Sequence, residues 1–252
     1  MSEWLALTIA MGAVCAVVLT ITVLKHRRIG EDDDPSETPD VIEYMTMMVG
    51  VVYAIVLGLA IAGVWEARGT AEDTVRTEAQ ALHEVSERAR AYPEATRERI
   101  RADVGAYVAH VVHKEWPAMA EQGQVTERGT RLLGTVRADV TDYRPRDSYE
   151  EQSYQPLLDQ VAAADDARNA RADSIEATLP PVVWFGLITG AVITIGLIFT
   201  LQIRRSGREL LMAAVFSALI AFLLFLVWDF DAPFSRGITT SAEPFTDLFP
   251  RL

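Results

Sequence analysis

The chain has 252 residues, half of them hydrophobic, and a net charge of −12 that comes from 35 acidic and 23 basic side chains. This acidic balance, with no basic stripe, argues against a nucleic-acid-binding protein, which needs positive charge to meet the phosphates. The single cysteine, Cys15, excludes a disulfide within the chain, so any domain outside the cytoplasm must be held together by packing.

Four stretches, each long enough at about 20 residues to cross a hydrocarbon core of roughly 30 Å as a helix, contain no charged side chain. They comprise residues 4–24, 44–65, 178–203 and 210–228. The first is predicted to be a retained helix rather than a cleaved signal peptide, because Met1-Ser2-Glu3 lacks a basic region. The predicted fold class is therefore an all-α integral membrane protein, with four transmembrane helices and a helical-bundle insertion between the second and the third.

The short loops predict the orientation, because short basic loops stay in the cytoplasm. Basic residues follow the first span (Lys25, Arg27, Arg28) and separate the third from the fourth (Arg204, Arg205, Arg208). Both termini and the insertion are then expected outside the cytoplasm, in the plasma (inner) membrane of a bacterium. The predicted organisation is residues 1–65 for two spans and a cytoplasmic loop, 66–178 for an extracytoplasmic helical domain, 179–228 for two further spans, and 229–252 for an extracytoplasmic tail.

Apolar periodicity predicts the helices of the insertion. The second span is expected to continue outward as one helix to Pro93, with an apolar stripe on one face: Val75, Ala79, Leu82 and Val85. A second helix is predicted over residues 94–116, ended by Pro117. A third is predicted over residues 126–143 and a fourth over residues 148–178, which together complete a bundle.

No catalytic residue, cofactor or metal site is predicted. His110 and His113 are three residues apart on the second insertion helix, with Glu115 nearby, and such a pair shares a helix face that a metal could use. A third ligand is not evident, His83 could approach only through packing, and such pairs are more often surface or packing residues. Hydrolase motifs and phosphate-binding glycine loops are absent, which indicates that the chain is not an enzyme.

Small residues recur every four positions along the second span, at Gly50, Ala54, Gly58 and Ala62, and the third span has a similar pair, Gly186 and Gly190. Such residues let helix backbones approach closely. Two interpretations stay open: packing within one chain, or a face that meets copies of itself or lines a narrow pore. An uncharged constriction can gate a pore by dewetting. The phenylalanines of the fourth span (Phe216, Phe222, Phe225) could also do this, although aromatic side chains that face lipid are commoner.

The charge pattern favours some transport mechanisms over others. Spans without charge argue against a proton relay or a coupled transporter, but not against a channel whose selectivity is set at its mouths. Between residues 65 and 181 the insertion holds 22 acidic against 15 basic side chains. We expect this excess, together with Asp229 and Asp231, to favour cations by raising their local concentration.

Four short motifs also converge. They are Glu78-Ala79, Glu115-Trp116-Pro117, Leu179-Pro180-Pro181-Val182-Val183-Trp184 and Asp231-Ala232-Pro233-Phe234. With the arrangement of spans they resemble the bacterial DUF4239 family, also called bestrophin-like, over most of the chain after about Tyr44. The resemblance implies a homo-oligomeric ion channel with four spans per subunit, its second span around the symmetry axis, and membrane lipid and inorganic ions as partners. One departure is that bestrophins hold their bulk in the cytoplasm, whereas the basic loops here place the insertion outside.

An alternative function is a non-conducting membrane protein whose outer bundle binds a partner or senses the state of the envelope. A channel needs a closed ring of subunits and a continuous axial path. A partner-binding protein needs neither, and would instead show an exposed apolar patch on the outer bundle.

Overall fold

The computed structural model describes residues 40–176, 178–201, 207–235 and 241–250. The first predicted span, Cys15 and the loop that follows lie outside these residues, so the count of four spans stays a prediction. Within the described residues the chain is helical and contains no strand. Three described helices are long and apolar enough to cross a membrane: the first part of α1, α6 and α7, whose bounds follow.

The helices are, in chain order, α1 (Asp40–Arg88), a 3-10 turn (Ala89–Ala91), α2 (Glu94–His110), a π-helical turn (Val111–Glu115), α3 (Trp116–Gln122), α4 (Glu127–Thr141), α5 (Ser148–Asp173), α6 (Pro181–Leu201), α7 (Gly207–Phe230) and α8 (Glu243–Leu248). The chain divides into two compact units. Unit 1 comprises Met1–Ala62 and Leu179–Val227, and unit 2 comprises Gly63–Thr178 and Trp228–Leu252.

In unit 1, α1 and α6 meet at a glycine. A Cβ added to Gly190 would lie 2.5 Å from the Cδ2 atom of Tyr53, so only a residue without a side chain lets the tyrosine ring pack there. Tyr53, Leu57 and Ala60 form the buried face of α1 in this unit.

Unit 2 is a helical bundle around one apolar core. The stripe predicted on α1 is fully buried, which confirms its helical periodicity. On α2, Ile100, Val104, Tyr107 and Val108 are buried in the same core. Local capping sets two of the boundaries. Thr126 accepts a hydrogen bond from Gly129 N at the start of α4, and Asp147 accepts from Tyr149 N and Glu150 N at the start of α5.

The prediction that Pro117 ends the second insertion helix is wrong. The helical path continues through the π-helical turn into α3, and it ends at Gly123, whose φ of +67° gives the left-handed cap that glycine favours. Proline has no N–H to donate to the carbonyl four residues earlier, and its ring crowds that carbonyl. The helical turn before Pro117 therefore widens into a π-helical turn, and the helix does not end there. The fourth helix is also shorter than predicted, since α5 ends at Asp173.

Candidate functional site

Two glutamates from separate sequence motifs meet in the middle of unit 2. Glu78 of α1 and Glu115 of the π-helical turn are fully buried, together with Arg171 of α5, and Arg168 one turn earlier is only 3% exposed. Two carboxylates and two guanidinium groups therefore balance in charge where water has no access. We call Glu78, Glu115, Arg168 and Arg171 the buried ion cluster.

Arg171 joins the two acids of the buried ion cluster. Its Nε donates to Glu78 Oε2 at 2.7 Å and its Nη2 to Glu78 Oε1 at 3.1 Å, a two-point contact. The same Nη2 donates to Glu115 Oε1 at 2.9 Å, and Nη1 lies 2.8 Å from Met119 Sδ. Tyr107 of α2 donates its hydroxyl hydrogen to Glu78 Oε1. One arginine thus connects α1 and α5 to the helical path that follows α2.

Arg168 and Glu115 connect the cluster to the start of α4. Arg168 donates from both terminal nitrogens to the Glu115 carboxylate, and Arg168 Nη2 also donates to Thr126 O at 3.1 Å. Glu115 Oε2 accepts from Thr126 N at 3.1 Å and from Thr126 Oγ1 at 2.7 Å. Gly129 lies against this pair so closely that a Cβ there would overlap Glu115 Oε2 and stand 2.7 Å from Arg168 Nη2.

Near neutral pH the Glu115 carboxylate stays ionised and the Tyr107 phenol stays neutral, as expected of residues that hold a fold together. Burial by itself raises the pKa of Glu115, but the hydrogen bonds and positive charges of Arg168 and Arg171 outweigh it and lower that pKa to about 2. Burial, with the Glu78 charge, raises the pKa of Tyr107 well above its usual value, so the phenol stays a neutral donor. A carboxylate held ionised and closed to solvent does not exchange protons with a substrate near neutral pH.

His110 contacts the edge of this network. Its Nε2 lies 2.7 Å from Thr126 Oγ1, an oxygen that already donates to Glu115 and accepts from Gly129 N. The histidine must therefore donate through Nε2. Burial lowers the pKa of His110, nearby Glu115 opposes the shift, and basic neighbours add to it. His113 is exposed, His83 packs edge-on against Phe249, and no three potential ligands cluster within the described residues.

Trp116 and Phe234, from two of the motifs, also meet in unit 2. The Trp116 ring packs edge-on against Phe234, with centroids 5.7 Å apart, and lies 5.8 Å from the Arg171 guanidinium carbon. Asp231 O accepts from Thr178 N at 2.9 Å, and Pro233 is buried. Pro180 and Trp184 lie in unit 1 at the start of α6, where Trp184 N donates to Pro180 O.

The expectation that Asp229 and Asp231 act as surface charges is wrong. Their exposed fractions are 7% and 1%, so neither carboxylate faces solvent to attract cations.

The small-residue stripe of α1 is open within the described part of unit 1. Ala54, Gly58 and Ala62 are exposed, Gly50 is half-buried, and a Cβ added to either glycine would meet nothing within 4 Å. At about 100° per residue, the centre of the stripe lies about 110° around α1 from the buried face. Of the third-span pair, Gly186 is equally open, whereas Gly190 packs against Tyr53.

Sequence reasoning missed Tyr107, Arg168 and Arg171 as members of a site, although a signal was present. The apolar positions of α5 (Leu157, Val161 and Ala164) are separated by four and three residues. The same spacing of four and then three residues continues to Arg168 and Arg171, which places both arginines on the buried face of the helix. A charged residue at a core position of such a pattern indicates a buried partner of opposite charge.

Sequence and structure comparisons agree with this architecture. The family model for the Bestrophin-like domain matches residues 12–245 of the chain. No curated protein matches in sequence. Two crystal structures of mutants of a bacterial bestrophin homologue from Klebsiella pneumoniae are each 12% identical to the chain. One has a TM-score of 0.65 and covers 100% of both chains, and the other has 0.66 and covers 97% of this chain and 98% of its own. At this identity the similarity concerns the fold.

Substitution of Gly129 tests the close approach around Glu115 and Arg168. We expect Gly129→Ala to lower the free energy of unfolding by about 2 kcal/mol or more, because the added methyl group displaces a buried ion pair. Gly134→Ala is the matched control on the same helix, since a Cβ there meets nothing within 4 Å. It should stabilise by roughly 0.5–1 kcal/mol. Unfolding of detergent-purified protein, followed by tryptophan fluorescence, measures both, and equal effects would contradict the packing described.

Acid should weaken unit 2 through Glu115. Its pKa is about 2 in the folded chain, against 4.5 for a free side chain. The ionised form therefore stabilises the fold fully above 4.5, and this contribution is lost as the pH falls through about 2. We expect Glu115→Gln to cost roughly 3 kcal/mol at pH 7, with the difference from the unsubstituted protein shrinking towards pH 2. Melting temperatures across this range test the expectation, with the exposed Glu121→Gln as control. A constant difference would count against it.

Proposed function

Since the chain belongs to the bestrophin-like family, we propose that it is a homo-oligomeric ion channel whose conducting axis is lined by α1. The proposal includes an inner-membrane location and a non-enzymatic role. The observation that carries it is the open face of α1, where Ala54, Gly58 and Ala62 are exposed and a Cβ added to Gly50 or Gly58 would meet nothing within 4 Å. Small residues on such a face allow close approach of another helix. A contact between copies of the chain would use this face.

A second face of α1 suits the axis itself. Val51, Ile55 and Leu59 are 55%, 58% and 68% exposed, and their ridge lies about 170° around the helix from the buried face. In a ring of copies whose small-residue stripes form the contacts, this ridge would line the central path. Rings of aliphatic side chains can close a narrow pore by dewetting, so the path needs no charged gate.

The partner-binding alternative receives no support from the described surface of unit 2. A docking face for another protein would present a contiguous apolar patch. The large hydrophobic side chains exposed in the described part of this unit are Trp65 and Tyr149, which come from different helices. We therefore propose the channel alone.

Selectivity for cations is part of the proposal, and it rests on the acidic excess of residues 65–181 rather than on Asp229 and Asp231. Reconstitution into a planar bilayer under a salt gradient measures it directly. A reversal potential shifted towards the equilibrium potential of the anion would contradict cation selectivity but not ion conduction. The absence of current from a verified oligomer would contradict ion conduction itself.

Leucine at Gly58 tests the stripe. We expect Gly58→Leu to break the oligomer and abolish most of the ion flux, because the longer side chain keeps neighbouring backbones apart. Gly63→Leu is the matched control, since Gly63 is also exposed with nothing within 4 Å and lies about 140° around the same helix. Native mass spectrometry counts subunits, and vesicle flux assays report conduction. If Gly58→Leu keeps both the mass and the flux, the stripe is not an interface.

Cysteine labelling tests the proposed orientation, with the insertion outside the cytoplasm. The exposed Gln124 is the probe site in the insertion. In a Cys15→Ser background, a membrane-impermeant maleimide added to whole cells permeable at the outer membrane should label Gln124→Cys and not Ser36→Cys. Labelling at Ser36→Cys alone would reverse the topology.

A further inference from the structure

The exposed side of α1 carries a line of residues spaced seven apart. Leu59, the last residue of the aliphatic ridge, is followed by Glu66 and then by Asp73, and all three are exposed. Seven residues are close to two helical turns, so each member lies only about 20° around the helix from the one before it. Because α1 is a single helix from Asp40 to Arg88, an axis lined by the ridge would meet Glu66 about 10 Å beyond Leu59.

Glu66 lies on the side of α1 that is opposite its buried side. Ala71 and Val75, on the neighbouring turns, are fully buried, and Glu66 is about 160° around the helix from their midpoint. Glu66 is also the first charged residue after the uncharged run of residues 44–65. On its exposed side the uncharged part of the helix therefore ends at a carboxylate.

Glu66 differs from the other acidic residues of α1 because it forms no ion pair within the part of the chain that the structure describes. The other five acidic side chains between residues 66 and 88 each pair with an arginine: Glu72 with Arg68, Asp73 with Arg76, Glu78 with Arg171, Glu84 with Arg88, and Glu87 with Arg90. The charge of Asp73 is thus balanced by an arginine on the next turn. On the line that continues the ridge, Glu66 carries the negative charge that is not balanced.

We propose that Glu66 forms a ring of carboxylates at the mouth of the pore, beyond the aliphatic ridge, and that this ring sets the preference for cations. The inference rests on the proposed function, because copies of Glu66 form a ring only around an axis lined by α1. A ring of acidic side chains selects cations by concentrating them at the mouth and repelling anions. Selectivity and closure of the pore would then belong to different levels of the same helix, Glu66 for the first and the ridge for the second.

Removal of single charges from the reconstituted full-length channel tests the ring. The ratio of cation to anion permeability is obtained from reversal potentials under a KCl gradient, after native mass spectrometry has verified the oligomer of each variant. We expect Glu66→Gln to lower this ratio by about tenfold or more, since a mouth lined by one sign of charge raises the local concentration of counter-ions by at least about that factor.

Glu72→Gln is the matched control for Glu66→Gln. It removes the same charge from the same helix, but position 72 lies about 120° around α1 from Glu66. We expect it to change the permeability ratio by less than about twofold. Asp73→Asn should have a smaller effect than Glu66→Gln, because Arg76 already pairs with Asp73.

The dependence on ionic strength provides a readout that a purely structural role of Glu66 would not change. The Debye length falls from about 10 Å at 0.1 M salt to about 3 Å at 1 M. The single-channel conductance of Glu66→Gln should therefore be lower than that of the unsubstituted protein in dilute KCl, and the two should converge near 1 M. Glu66→Lys, which reverses the charge of the ring, should make the channel prefer anions.

The possible outcomes separate this inference from the proposed function. A conducting Glu66→Gln oligomer with an unchanged permeability ratio, or with the same change as Glu72→Gln, would overturn the ring and leave conduction in place. Anion preference in the unsubstituted channel would do the same. The absence of current from a verified oligomer of the unsubstituted protein would contradict the proposed function, and the ring with it.

Discussion

The bundle of unit 2 depends on the mutual neutralisation of four charges in its interior. Burying any one of them alone would be costly, so the helices that carry them must meet in one arrangement for all four to be satisfied. Replacing such a network by apolar side chains is often neutral for stability, whereas removing one member is strongly destabilising. The network is therefore a constraint on geometry more than a source of stability. The close packing of the network explains the glycine at position 129, because a Cβ there would overlap Glu115 Oε2.

The two units satisfy their polar groups differently. In unit 2 the buried carboxylates, guanidinium groups and the Tyr107 hydroxyl find partners on neighbouring helices. In unit 1 the hydroxyls of Tyr53 and Thr194 have no hydrogen-bond partner among the described residues, and a Cβ added to Gly50 or Gly58 on the small-residue face of α1 would meet nothing within 4 Å. Lipid tails offer no donor or acceptor, so polar groups within hydrocarbon are generally satisfied by neighbouring helices. The proposed channel assembly assigns the small-residue face to a contact between copies of the chain.

Much of the fold was predictable because apolar periodicity is a local property. The buried stripe from Val75 to Val85 and the limits of α4 were predicted to within two residues. The buried ion cluster was not predicted, since no sequence motif marked Arg168 or Arg171 as a member of a site. Their register with Leu157 and Val161 carried the missing signal, but pairing across α1 and α5 is set by contacts that no local pattern encodes. The helix end predicted at Pro117 was wrong for a related reason, because a proline can distort a helix without ending it.

The sequence by itself determined that this is an all-helical membrane protein of the bestrophin-like family. Uncharged runs long enough to cross a membrane and short motifs are local features that can be recognised without the structure. The sequence also singled out Glu78, Glu115 and the stripe of small residues. Only the tertiary structure decided what these residues do within one chain. It joined the two glutamates through Arg171, buried Asp229 and Asp231, and left Gly58 open while Gly190 received Tyr53. The physical reason is that burial and pairing depend on residues up to 93 positions apart in the chain, and only folding brings those residues together.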